Sequence, residues 1–196
     1  RRPRLVAVKV GLLALQGAVG LHGEALADLG ATPVEVRTPT DLAEVDGLIV
    51  PGGESTTIAK LLATSGLAEP LRERIGAGMP TFGTCAGMIV LAREILDGRP
   101  DQEPLDAIDI AVRRNAFGRQ VDSFEADLAI DGLDPGFHAV FIRAPFVERV
   151  GPEVEVWASV GEHPVLCRQD NVLVCAFHPE LQPDRRLHQR FLDLVS

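Results

Sequence analysis

With 196 residues, 46% of them apolar and 24% charged, the chain has the composition of a folded globule and lacks the charge excess of a disordered one; its length fits one domain, residues 1–196. A net charge of −9 excludes the clustered positive field that nucleic acid or an anionic membrane selects, which leaves small molecules and proteins as partners. Cys85, Cys167 and Cys175 are an odd set without CxxC spacing, a pattern expected in a reducing cytoplasm rather than in a disulfide framework.

The basic opening Arg1–Arg4 is followed by an apolar run from Leu5 to Leu15. Lys9 interrupts that run and no small-residue cleavage site follows, so it reads as a buried first strand over Val8–Leu15 rather than a signal peptide. A helical pattern from Leu21 to Leu29 closes on Gly30, and apolar strands follow at Thr32–Val36 and Gly47–Val50. Helical patterns then cover Ser55–Ser65 and Leu67–Ala77, a strand Thr81–Thr84, and a further helix from Ala86 to about Leu96, ended by Gly98 and Pro100. No run approaches the roughly 20 residues of a membrane-spanning helix.

Strand-like runs in the second half lie at Ala107–Val112, Ala126–Ile130, Ala139–Ile142, Val154–Ser159 and Val172–Phe177, some alternating as antiparallel or edge strands do. Residues 183–196 form a closing helix with Leu187, Phe191, Leu192 and Val195 on one face. Continuous apolar strands alternating with helices predict an α/β fold, a doubly wound three-layer domain with a mostly parallel central sheet and additional antiparallel strands. In such a fold the ligand site lies beyond the carboxyl ends of the strands.

Three motifs sit at such ends. Gly83-Thr84-Cys85-Ala86-Gly87 has the form of a nucleophile elbow, in which a sharp strand-to-helix bend between small residues presents the nucleophile, here a thiol facing a helix N-terminus. His178-Pro179-Glu180 follows an apolar strand and offers a base with a carboxylate to orient it. The other histidines read as surface or packing residues: His22 and His188 fall on helical patterns, His138 follows a turn, and His163 opens an apparent strand. Cys167 and Cys175 read as small core residues.

Pro51-Gly52-Gly53-Glu54-Ser55 also joins a strand to a helix. Its exposed backbone N–H groups suit either a phosphate cradle, whose usual spacings it does not match, or an oxyanion hole made by Gly53 and Ala86. Ser55 is the expected helix cap. No metal-ligand spacing is present, and neither a metal nor a cofactor is expected.

Together the segment FGTCAG at 82–87, PGGES at 51–55 and HPE at 178–180 resemble class I glutamine amidotransferases. The longer segments Leu15-Gln16-Gly17-Ala18-Val19, Val45–Val50, Arg114–Glu125 and Phe141–Pro145 are similar to those of the glutaminase subunits of pyridoxal 5'-phosphate synthase, so the resemblance spans positions 12–180. Ala116 stands where that family often has serine.

The resemblance implies hydrolysis of L-glutamine to L-glutamate and ammonia through a glutamyl thioester. In that reading Cys85 is the nucleophile, His178 the general base and acid, and Glu180 the orienting group. Gly53, Glu54, Ser55, Arg114, Ile142 and Arg143 line the glutamine site. It also implies a (β/α)8-barrel synthase partner that receives the ammonia for vitamin B6 synthesis, in a large hetero-oligomer, with Gln16 and Gly17 at the interface. Two rivals are a related Cys hydrolase, such as a γ-glutamyl peptidase or a small chaperone-like hydrolase, and a catalytically silent scaffolding subunit. The segments at 15–19 and 117–125 separate the first from the glutaminase; the intact triad opposes the second.

Overall fold

The structure, a computed structural model, describes residues 6–15, 19–114 and 123–195. In chain order its elements are β1 (Lys9–Leu13), α1 (Gly20–Asp28), β2 (Thr32–Val36), α2 (Pro39–Ala43), β3 (Gly47–Val50), α3 (Ser55–Thr64), α4 (Ala68–Gly76), β4 (Thr81–Thr84), α5 (Ala86–Leu91) and β5 (Ala92–Ile95). There follow β6 (Ile108–Arg113), β7 (Ser123–Ile130), β8 (Leu133–Ile142), β9 (Phe146–Val150), β10 (Glu155–Val160), β11 (His163–Gln169), β12 (Val172–Cys175), a 3-10 turn at Pro179–Leu181, and α6 (Arg186–Val195).

The central sheet has the order β10-β11-β12-β4-β3-β1-β2. From β2 to β12 neighbouring strands are parallel, while β11 and β10 add antiparallel strands at one edge. The middle strands β3, β4 and β12 are buried along their whole length, as strands covered on both faces must be, and their sequences GLIV, TFGT and VLVC are therefore apolar or small without alternation. A second sheet, β5-β6-β9, and the hairpin β7–β8 lie outside this core sheet. The α/β class with its mostly parallel sheet is the one the apolar runs predict.

Successive residues of β4 show how both faces are covered. Phe82 points to one side, where its ring meets Phe191 at 5.6 Å and His188 at 5.9 Å, both on α6. Gly83 points to the other, where a Cβ would stand 2.8 Å from the backbone of Gly87 on α5. Helix α5 can lie this close because Gly87 also lacks a side chain: a Cβ there would reach 2.0 Å from the carbonyl oxygen of Val50 in β3. Both glycines are thus required by close approach of backbone to backbone.

The helix expected from Ala86 to about Leu96 is a correction. It ends at Leu91, and the chain turns extended at Ala92 to form β5. The carbonyl oxygens that a longer helix would satisfy internally are taken from outside: Val90, Leu91 and Ala92 accept from the N–H groups of Leu105, Ala107 and Asp106 at 2.8, 2.9 and 3.2 Å. The buried apolar run Met88–Ala92 fits helix and strand alike, so pairing with the next segment decides. Two elements that patterning did not predict are α2, opened by a reciprocal capping box between Thr38 and Asp41, and β9, paired antiparallel with β6. Among the described residues no helix is long and apolar enough to cross a membrane.

Candidate active site

Strands β3, β4 and β12 are neighbours, so their carboxyl ends bring PGGES, the elbow and HPE side by side. This is the crevice in which open α/β sheets hold ligands. At the elbow Cys85 adopts φ 52°, ψ −109°, a conformation that costs a non-glycine residue about 1–3 kcal/mol and persists only where its surroundings enforce it. Here they do: Cys85 N–H donates to the Cys175 carbonyl of β12 at 2.9 Å, and its own carbonyl accepts from Met88 N–H at 3.0 Å. The strained turn lifts the thiol out of the sheet to the N-terminus of α5, whose first N–H groups have no intrahelical partner.

His178 follows β12, three residues beyond its end, and is fixed on two sides. Its backbone N–H donates to the Val140 carbonyl of β8 at 2.9 Å, and its Nδ1 lies 2.6 Å from Glu180 Oε1, which holds Nδ1–H as the donor. Gly52 lies beneath this ring: a Cβ there would stand 2.8 Å from His178 Cε1 and 3.5 Å from Cys85 Cβ. Cys85, His178 and Glu180 therefore meet at one point, with Gly52 as the floor that admits them. The patterning singled out Gly53 and passed over Gly52, although the doubled glycine was the signal that one of them faces a crowded neighbour.

The electrostatics follow from that packing. Burial works to lower the His178 pKa, but hydrogen bonds with Cys85 and Glu180 and their negative charge outweigh it and raise it to about 10. Burial works to raise Glu180, yet the His178 hydrogen bond and the nearby imidazoles hold its carboxyl below the usual range. The other thiols differ. Burial pushes Cys167 up to about 12, and Cys175 is raised by full burial and then by the charges of Glu180 and Cys85. Both are core residues, as expected, and only the thiolate is a competent nucleophile.

In the PGGES loop Gly53 takes φ 153°, a backbone state that side chains disfavour. The expectation that Ser55 caps α3 is corrected. Glu54 is the cap, its carboxylate accepting from the N–H of Thr56 at 3.1 Å and of Thr57 at 2.8 Å and from both hydroxyls. The Thr56 and Thr57 hydroxyls, helped by the two N–H groups, outweigh the opposing effect of burial and bring the Glu54 pKa down to about 2. Ser55 is instead buried in the first turn, where Gln102 Nε2 donates to its Oγ at 3.1 Å.

Ile142 ends β8 beside the elbow and Arg143 follows it. The Cys85 thiol reaches the Ile142 carbonyl at 3.8 Å, and Arg143 is exposed at φ 46°. Arg114 directly follows β6, its N–H donating to Asp97 Oδ1 at 2.7 Å, while its Nε is buried without a hydrogen-bond partner and faces Asp97 at 4.0 Å. Gln16 and Gly17 lie outside the described residues, as do residues 115–122. Among the described residues no group of three or more His, Cys, Asp or Glu is disposed to hold a metal ion. His22 and His188, read from their helical positions as surface or packing residues, are both fully buried and meet behind Glu180.

Against this geometry, the profile of the SNO glutamine amidotransferase family matches residues 12–196. The chain belongs to the SNO glutamine amidotransferase family. A pyridoxal 5'-phosphate synthase subunit PdxT of Frankia alni is 60% identical over 188 residues, covering 95% of this chain and 94% of that protein. One of the same name from Mycobacteroides abscessus is 61% identical over 186 residues, covering 95% and 96%. A crystal structure of a glutamine amidotransferase superposes with a TM-score of 0.90 at 53% identity, covering 95% of this chain and 98% of the other. A Thermoplasma acidophilum protein at 15% identity has a TM-score of 0.69, a likeness of fold alone.

Proposed function

We propose that this chain is the glutaminase subunit of a pyridoxal 5'-phosphate synthase and that it works through Cys85, His178 and Glu180. The observation that carries this reading is their convergence: a strained elbow thiol and a half-buried His178 paired at 2.6 Å with the buried Glu180 meet over Gly52. Membership of a glutamine amidotransferase family and identity of about 60% to proteins named as synthase subunits support the substrate and the pathway.

The Cys85 thiolate attacks the side-chain amide carbon of glutamine, and the oxyanion that forms is held by the N–H groups of Gly53 and Ala86. His178, kept as imidazolium by Cys85 and Glu180, gives its proton to the departing nitrogen, and ammonia leaves a glutamyl thioester. The same imidazole, now neutral, takes a proton from water as that water attacks the thioester; glutamate leaves and the thiolate with its imidazolium partner returns. Free glutamine carries an α-carboxylate and an α-ammonium. Arg114 and Arg143 suit the first, and Glu54, Ser55 and the Ile142 backbone complete the pocket.

Ammonia set free in water is mostly unreactive ammonium, so a partner must take it directly. That partner is a (β/α)8-barrel synthase in a large hetero-oligomer, docked through Gln16 and Gly17, and the reducing cytoplasm suits three free cysteines. The test is glutamine-dependent ammonia release by the chain with and without its cognate synthase, and by Cys85→Ala in the complex. A large increase on adding synthase and no turnover by C85A is the expected result. Substantial ammonia from C85A, or none from the wild-type complex, overturns the reading.

A further inference from the structure

Glu180 has two carboxylate oxygens, and His178 engages one. Oε2 is buried and makes no hydrogen bond of good geometry, yet His22 Nε2 of α1 stands 3.4 Å from it. The same nitrogen is 3.3 Å from the hydroxyl of Thr84, the residue before Cys85. On its far side His22 Nδ1 lies 3.0 Å from His188 Nε2 of α6. Both imidazoles are fully buried, where an unpaired polar ring is expensive.

One proton arrangement satisfies this row. A carboxylate only accepts, so the nitrogen facing Oε2 carries the hydrogen. His22 Nδ1 is then bare and accepts from His188 Nε2–H. That leaves His188 Nδ1 as the bare nitrogen at the end of the row, and it is the buried atom without a partner. The orphan is thus an acceptor and not an N–H, the less costly kind. Both rings are neutral. Burial lowers both pKa values, that of His188 to about 3, so His22 meets the charge of Glu180 as an N–H dipole rather than as a cation.

We infer that His22, held in its tautomer by His188, is a positioning residue of the reaction: its Nε2–H aims at Glu180 Oε2 and ties the carboxylate to the end of β4 that carries Cys85. This rests on the triad proposed above. The 3.4 Å separation is long for a hydrogen bond, as such contacts are before substrate binds. Two neutral histidines buried behind a carboxylate would otherwise be an expensive way to fill space that leucine fills, and here their donors run in a single direction toward the buried charge.

Two substitutions separate positioning from packing. His22→Gln places an amide N–H where Nε2 stood and keeps the reach to Glu180; His22→Asn replaces Nδ1, keeps the contact to His188 and loses Glu180. With the cognate synthase present, H22N should lose about 10-fold or more in kcat, the size typical of removing a group that orients a reacting one, at unchanged KM for glutamine. H22Q should stay within about 3-fold of wild type, and the downfield proton signal of His178 Nδ1–H should persist in H22Q and broaden or move in H22N. Equal kcat in the two variants, or a Nδ1–H signal unaltered in H22N, overturns the inference. The proton signal does not depend on turnover, so it reads the His22–Glu180 contact even if C85A proved active and the triad itself fell. Should H22N unfold, a normal kcat and signal in His188→Gln together with a disturbed signal in H22Q would equally refute it.

Discussion

Gly52 is the residue where activity and stability should come apart. Its backbone is not in the positive-φ set, so alanine fits the main chain, and the whole cost falls on what the new methyl meets. That is His178 Cε1 at 2.8 Å, with Cys85 Cβ at an ordinary 3.5 Å. Carbon atoms settle at about 3.5 Å or more, so the imidazole must retreat by about 0.7 Å. It retreats from its hydrogen bonds, since Nδ1 is held to Glu180 at 2.6 Å and its backbone to Val140 at 2.9 Å. A misplacement near 1 Å costs about 100-fold in rate. Gly52→Ala should therefore lower kcat by roughly 10- to 100-fold, or about 1.4–2.7 kcal/mol of barrier.

Stability should hardly follow, because the ring that yields borders the open crevice. A loss of about 1 kcal/mol, some 2–4 °C in Tm for a chain of this size, is the expected limit. Gly87→Ala is the control in the opposite sense: its methyl would meet the Val50 carbonyl oxygen at 2.0 Å, and backbone on both sides leaves nothing to yield, so this variant should fail to fold. The assays are ammonia release in the complex and thermal unfolding by circular dichroism. Full activity in G52A refutes the placement of His178 over Gly52. An unfolding midpoint lowered as far as the activity is refutes the claim that the crevice absorbs the strain.

Replacing the cap of α3, Glu54→Ala, removes the acceptor of two N–H groups and should cost about 1 kcal/mol. Because the Glu54 pKa is depressed from 4.5 to about 2, its contribution is present above the first value and fades as pH falls through the second. Acid unfolding of E54A should therefore be less pH-dependent in that window, and an unchanged acid titration of stability would count against the cap. For His178 the sign is reversed: its pKa is raised from 6.5 to about 10, so the stability contributed by its interactions with Cys85 and Glu180 is fully present below the first value and is lost as pH rises through the second. Cys85→Ala should bring the His178 midpoint, followed by imidazole NMR, well down toward 6.5, and a midpoint still near 10 would show that Cys85 is not its partner.

How far the sequence carried depended on whether a feature was local. Strands β2, β3 and β4 begin and end where their predicted runs do; for β3 and β4, buried along their whole length, the reason is that a parallel strand covered on both faces is a continuous run of apolar or small residues, whereas β2 is a largely exposed edge strand. The elbow, PGGES and HPE were legible for a related reason: each is a few consecutive residues at a strand end, and three adjacent strands then bring them together without further information. Where two nearby residues offered the same chemistry, as Glu54 and Ser55 both do for a cap, local reading chose the commoner one and the structure the other. The end of α5 was not legible either, since Val90, Leu91 and Ala92 turn away from helix only because the segment 105–107 supplies their donors.

The His22–His188 row marks the limit most sharply. Its two rings are 166 residues apart in the chain and lie 3.0 Å apart in space, and each sits on a helix where periodicity distinguishes only a buried face from an exposed one. A histidine on such a face looks like a packing residue whether it fills space or aims a donor at a carboxylate. What discriminates the two is the direction of the protons, and that direction is set by Glu180, whose position follows from β12 and not from either helix. The groups proposed to act on substrate therefore come from contiguous motifs, while the histidines inferred to hold them come from helix faces. Reading the second kind requires knowing which faces the fold turns toward the same carboxylate.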